Sequence, residues 1–132
     1  MKYLPLIGRI LFSLIFITSG LAHFFSANDM IAYSQQMGVP LASLAVYVTG
    51  IMIILGGISI ILGYQAKWGA LLLIIFLIPT TFIMHPFWKI EDAMQAQMQM
   101  VMFMKNLSML GGAILIYYFG TGPLSLDKKE GK

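Results

Sequence analysis

Between Asp29 and Lys67 the chain carries no charged residue, and within that stretch Leu41 to Leu62 is apolar almost without interruption. As a helix such a run reaches about 33 Å, enough to cross the roughly 30 Å hydrocarbon layer of a bilayer. Lipid offers no hydrogen-bond partner to an open backbone, so a segment of this kind crosses as a helix. Leu4 to Phe25, Trp68 to Met84 and Met98 to Phe119 repeat the pattern. The expected architecture is an all-α membrane protein, a four-transmembrane-helix bundle formed by residues 1–132 as one domain. Composition agrees: 59% of the 132 residues are apolar and only 10% are charged, against roughly 45 to 50% and 25% in soluble domains.

Local signals set the span limits. Pro40 reads as a first-turn residue of span two. Asn28 reads as a cap for a short interfacial helix over about residues 28–37, carrying Met30, Ile31, Tyr33 and Met37. Residues 63–67 make a tight connection, and Pro79 is expected to kink span three by freeing the carbonyl of Ile75. Glu91 and Asp92 favour the start of span four by opposing its dipole. Gly120-Thr121-Gly122-Pro123 stops it, leaving a tail, 120–132, whose end is expected to be mobile. A secretory signal is the rival reading of the first span, since Lys2 precedes it and Gly20-Leu21-Ala22 resembles a cleavage site. Arg9 and the spans that follow make an uncleaved helix the simpler account.

Basic residues are retained on the cytoplasmic side. Lys2, Arg9, Lys67, Lys128, Lys129 and Lys132 fall on one side and Lys89 alone on the other. That count predicts both termini and the short 63–67 loop in the cytoplasm and residues 26–40 and 85–97 outside. A net charge of +3 is too small to indicate nucleic acid. Membrane lipids are the expected surroundings, and a homo-oligomer is compatible with the sequence.

Helices in lipid associate through close contact at small residues. Gly20, Gly57, Gly63 and Gly112 are the expected packing positions, with Gly50 and Gly57 on one face of span two and Ser59 four residues before Gly63. Polar residues inside spans are costly unless partnered, which makes them candidates for function. Arg9 is expected either to snorkel or to hold an ion pair or lipid headgroup. Lys105 lies deeper, about 10 Å inside Met98. No acidic residue occurs between Asp29 and Glu91 or between Asp92 and Asp127, so its partner must be a carbonyl, water or a ligand. His23 and His85 end spans one and three on the side of the membrane that also holds Gln99 and Lys105. His85, Gln99, Lys105, Asn106 and His23 are therefore the candidate ligand residues, suited to holding a quinone head group between helices.

Much chemistry is excluded. With no cysteine there is no disulfide, thiolate metal site or Fe–S cluster, and no flavin, haem, zinc or phosphate-loop motif occurs. Met94, Met98 and Met102 recur at i, i+4 and would suit copper(I), but adaptable packing is the simpler reading, and no metal is expected. A proton-driven pump usually needs a buried acid, which these spans lack. Electron transfer would have to pass through a bound cofactor or a partner.

The motifs Gly8-Arg9 with Phe16 and Gly20, Leu55-Gly56-Gly57 with Leu62-Gly63, Trp68-Gly69-Ala70, and His85-Pro86-Phe87-Trp88 occur in that order. They are followed by Phe103-Met104-Lys105-Asn106-Leu107, Gly111-Gly112 and Leu124-Ser125-Leu126-Asp127. In this arrangement the chain resembles the DoxX family of small prokaryotic four-helix membrane proteins over nearly its whole length. The resemblance implies a compact bundle in the cytoplasmic membrane and an association with redox work, including quinone-linked thiosulfate oxidation and oxidative-stress complexes. Arg9, His85, Lys105 and Asn106 fall at positions the family pattern favours. Many relatives carry a glutamate just before the double glycine of span two, where this chain has Ile53, so a mechanism using that carboxylate would be absent or altered. The leading expectation is a redox-associated accessory subunit with a quinone or similar lipid-soluble ligand, its pocket lined by Lys105, Asn106, Gln99 and His85. The alternatives are a non-catalytic scaffold for a redox or stress-related partner, docked through the methionine-rich helix and the outer segments, and a small-solute transporter.

Overall fold

The computed structural model describes residues 1–127 and is all-helical over them. The five helices are α1 (Tyr3–Phe25), α2 (Ala27–Gln36), α3 (Ala42–Leu62), α4 (Ala66–Met84) and α5 (Ala93–Phe119), with a 3₁₀ turn at Phe87–Lys89. All but α2 are long and apolar enough to span a membrane. Around the bundle α1 packs on α3, α3 on α4 and α4 on α5, while Phe12 of α1 lies against Gly112 of α5. Lys128, Lys129 and Lys132, used above for orientation, lie outside the described residues.

Helix boundaries follow local chemistry. Asp92 caps α5, its carboxylate accepting from the Gln95 N–H at 3.0 Å. Asn28 is not a cap. The chain turns at Ser26, whose N–H still reaches the Ala22 carbonyl while its own carbonyl accepts from Met30, so α2 begins at once and Asn28 falls inside it. Pro40 likewise sits before α3 rather than in its first turn, because Leu41 adopts a left-handed conformation with φ of 50° ahead of Ala42. At the other end of α3, Gly63 (φ 63°) donates to Ile60, and Tyr64 donates back to Ser59. That pair of bonds is the Schellman arrangement that satisfies the last carbonyls of a helix.

The core holds Phe16, Ile53, Ile60, Leu73, Leu77 and Ala113. Side chains elsewhere on the spans are largely exposed Leu, Ile and Phe, the surface expected of helices bathed in lipid. Close approach between helices depends on glycine. A Cβ on Gly20 would lie 2.9 Å from the Gly50 carbonyl oxygen and 2.4 Å from Ile54, and one on Gly57 would meet Ile17 at 2.9 Å. Gly56 and Gly69 do the same between α3 and α4, where a Cβ on Gly56 would lie 3.0 Å from the Gly69 carbonyl. Gly63 is different from the expectation. Its neighbour is Ser125 of the tail rather than another helix, because it lies past the end of α3.

Candidate functional site

Two polar groupings occur within the helical end opposite the termini. The first lines a cavity of about 470 Å³ between α2 and the ends of α1, α3 and α4. α2 forms one wall and is fastened by the Tyr33 hydroxyl, which donates to the Met84 carbonyl at 3.1 Å. Pro79 also faces the cavity, and as a proline it leaves the Ile75 carbonyl without its usual helical donor. Most of the wall is apolar, including Val46, Phe76, Ile83 and Met84.

The polar atoms of this cavity have a definite sense. His23 Nδ1 lies 2.8 Å from the Val46 carbonyl oxygen. A carbonyl can only accept, so Nδ1 carries the proton, and in the neutral ring Nε2 is left as an acceptor. Thr49 spends its hydroxyl proton on the Ala45 carbonyl at 2.6 Å, and Tyr33 spends its own on Met84. Asp29, also in the wall, sits in the first turn of α2, where the helix dipole favours its negative charge. The hydroxyls of Ser34 and Thr80 can turn either way. The fixed groups are thus acceptors.

The second grouping joins α4 to α5. His85 Nδ1 donates to Gln99 Oε1 at 2.8 Å. Above the pair, Phe103 is surrounded edge-on by Phe82, Phe87 and Trp88 with ring centroids 5.3 to 5.8 Å away. Asn106 is buried at 6% exposure on the same side of α5. Lys105 is not part of it. Its side chain is exposed, and among the described residues its amino group reaches the Met102 sulfur alone, at 3.3 Å. The expected pocket of Lys105, Asn106, Gln99 and His85 therefore does not form as one lining. Consecutive helical residues point about 100° apart, so Lys105 and Asn106 face opposite surroundings, and none of the four borders the cavity. His23 does border it, and His23 and His85 occupy separate groupings.

Arg9 belongs to neither. It is 4% exposed and turns inward rather than snorkelling. Nη1 donates to the Thr121 carbonyl at 3.1 Å and to the Ser125 hydroxyl, and Nη2 donates to the Leu124 carbonyl at 2.9 Å. The tail beyond α5 is consequently docked as far as Asp127. Leu126 N–H donates to Leu62 and Asp127 N–H to Gly63, while the Asp127 carboxylate receives Gln65 N–H at 2.7 Å and Ala66 N–H at 3.0 Å. One short strap thus covers the free carbonyls ending α3 and the free amides starting α4, the groups every helix terminus leaves open. Sequence reasoning found the polar ends of these helices but missed this strap, since backbone carbonyls leave no mark in a sequence.

Four spanning helices around an apolar core, with polar groups gathered at both ends, define an all-α multi-pass membrane protein. The DoxX family model matches residues 4–86, and the chain belongs to the DoxX family. It is similar to inner membrane protein YphA of Escherichia coli (strain K12), at 32% identity over 96% of this chain and 89% of the relative. It is also similar to inner membrane protein YqjF of the same organism, at 30% identity over 93% of this chain and 88% of the relative. No solved structure matches it. With these relatives and four spanning helices, it is a multi-pass protein of the inner membrane.

Proposed function

We propose that this DoxX protein holds a lipid-soluble hydrogen-bond donor, of which a reduced quinone is the leading case, in the cavity beside His23, as an accessory to membrane redox chemistry. The observation that carries the reading is the acceptor character of the wall: Nε2 of His23, the carboxylate of Asp29 and the phenol oxygen of Tyr33. A quinol presents two hydroxyl donors on a flat apolar ring with an isoprenoid tail, and a largely apolar cleft with a few placed polar groups is the usual form of such a site. The oxidised quinone presents only carbonyl acceptors and would find fewer partners. The same reading places both termini in the cytoplasm, on the distribution of basic residues, so that the cavity opens near the outer leaflet.

The test is binding of a short-chain ubiquinol and of its oxidised form to the detergent-purified protein, by equilibrium dialysis under anaerobic conditions. The quinol is expected to bind at least tenfold more tightly than the quinone. His23→Ala should weaken it by a similar factor, whereas Lys105→Ala should leave it unchanged. Equal binding of both forms, or indifference to His23→Ala, would remove the assignment.

A further inference from the structure

α5 keeps one face uncovered. Phe103, Asn106 and Ala113 are its buried residues, turned toward the rest of the bundle. The opposite side exposes Met94, Met98, Val101 and Met102, which with Gln97 border a shallow groove of about 350 Å³. Lys105 is not in its lining but lies three residues beyond Met102, with its amino group 3.3 Å from the Met102 sulfur. It lies about 18 Å along the helix from Ala93 and about 21 Å from Phe119, roughly 10 Å inside the apolar stretch that begins at Met98. Its amino group carries three donors and has one weak acceptor, the Met102 thioether. A lysine at this depth facing hydrocarbon is among the costliest placements in a membrane protein, and such residues normally meet a partner.

From this geometry we infer that the Met98–Val101–Met102–Lys105 face of α5 docks a transmembrane helix of a different protein that bears a carboxylate at the level of Lys105. The charge decides the occupant. No acidic residue occurs in α1, α3, α4 or α5, so no spanning helix of a second copy can supply the carboxylate, and a symmetric pair through this face would oppose lysine to lysine. Lipid phosphates sit at the edge of a hydrocarbon layer roughly 30 Å thick, whereas the Lys105 amine is turned onto the Met102 sulfur. Thioether side chains adapt to whatever shape is presented to them, which suits a groove that receives another helix. A carboxylate desolvated against Lys105 would set the depth and rotation of the partner, as polar groups do between helices in lipid. The inference is independent of the cavity beside His23.

The experiment is zero-length cross-linking in native membranes with lipid-soluble dicyclohexylcarbodiimide. The reagent activates a carboxylate as an O-acylisourea; the lysine amine displaces the urea and leaves an amide. Peptide mass spectrometry is expected to find Lys105 joined to an Asp or Glu within an apolar stretch of at least about 18 residues of another protein. The same protein should remain with this chain in polymer nanodiscs for wild type and Lys105→Arg, and be at least tenfold depleted for Lys105→Met. A cross-link to an acid of a second copy, retention in Lys105→Met, or an uncoupled Lys105 in particles containing this chain alone would each overturn the proposal.

Discussion

The carboxylate of Asp127 accepts the N–H of Ala66 at 3.0 Å across 61 positions of sequence, and its other oxygen takes Gln65 N–H at 2.7 Å. An acidic group at a helix N-terminus both pairs with open amides and opposes the dipole. Asp127→Ala is expected to lower stability by about 0.5 to 2 kcal/mol, with Asp127→Asn recovering part of it, since an amide oxygen can still accept. Thermal unfolding in a mild detergent reads the order wild type, Asn, Ala.

Arg9 reaches the same strap from the other side. Arg9→Met would leave the Thr121 and Leu124 carbonyls without their donor, at a cost of about 2 to 4 kcal/mol for a buried charged group and its partners. Lysine cannot reproduce the two-pronged geometry, so Arg9→Lys should fall between. Thr121 is 8% exposed and the chain has no cysteine. A cysteine placed there by Thr121→Cys should react with a maleimide severalfold faster in Arg9→Met; an unchanged rate would mean that the strap is held without Arg9.

Gly20→Val should prevent the approach of α1 to α3, because a Cβ there would already lie 2.9 Å from the Gly50 carbonyl. Overpacking of this kind costs about 1 to 3 kcal/mol or more when backbone is the obstacle. Gly8 has nothing within 4 Å of such a Cβ, so Gly8→Ala should be neutral or stabilising by up to about 1 kcal/mol through helix propensity. Paired melting curves separate the two glycines.

Gln99→Leu removes the acceptor of His85 Nδ1. A loss of about 1 kcal/mol is expected, together with faster solvent exchange of the Nδ1 proton by NMR. Slow exchange retained in the variant would assign that proton to another acceptor.

The spans were legible because length and apolarity alone specify a membrane helix. A short helix after the first span was legible from its mixed composition, and α2 occupies Ala27–Gln36. What it does was not legible, since its place as a cavity wall depends on Tyr33 reaching the Met84 carbonyl. His23 was readable as a polar residue ending a span, but not its tautomer, which Val46 decides. The separation of Lys105 from Asn106 was not legible, since residues about 100° apart on a helix can share a broad face or not, and only the packing of α5 buries Asn106 while leaving Lys105 exposed. Gly63 looked like a helix-contact glycine; only the position of Ser125 against it reveals a turn built to receive the tail.

The strap has a consequence for biogenesis. During synthesis Arg9 enters the membrane with the first helix, while Thr121, Leu124 and Ser125, which receive its guanidinium, are made only after the fourth. Until then the arginine is a cation without its native acceptors, and the α3–α4 turn lacks its cover. Insertion intermediates are therefore chemically distinct from the finished bundle, and a quality-control protease or insertase that senses unmatched charge in lipid could tell them apart. The strap works as a latch that closes on the first helix once the fourth is in place.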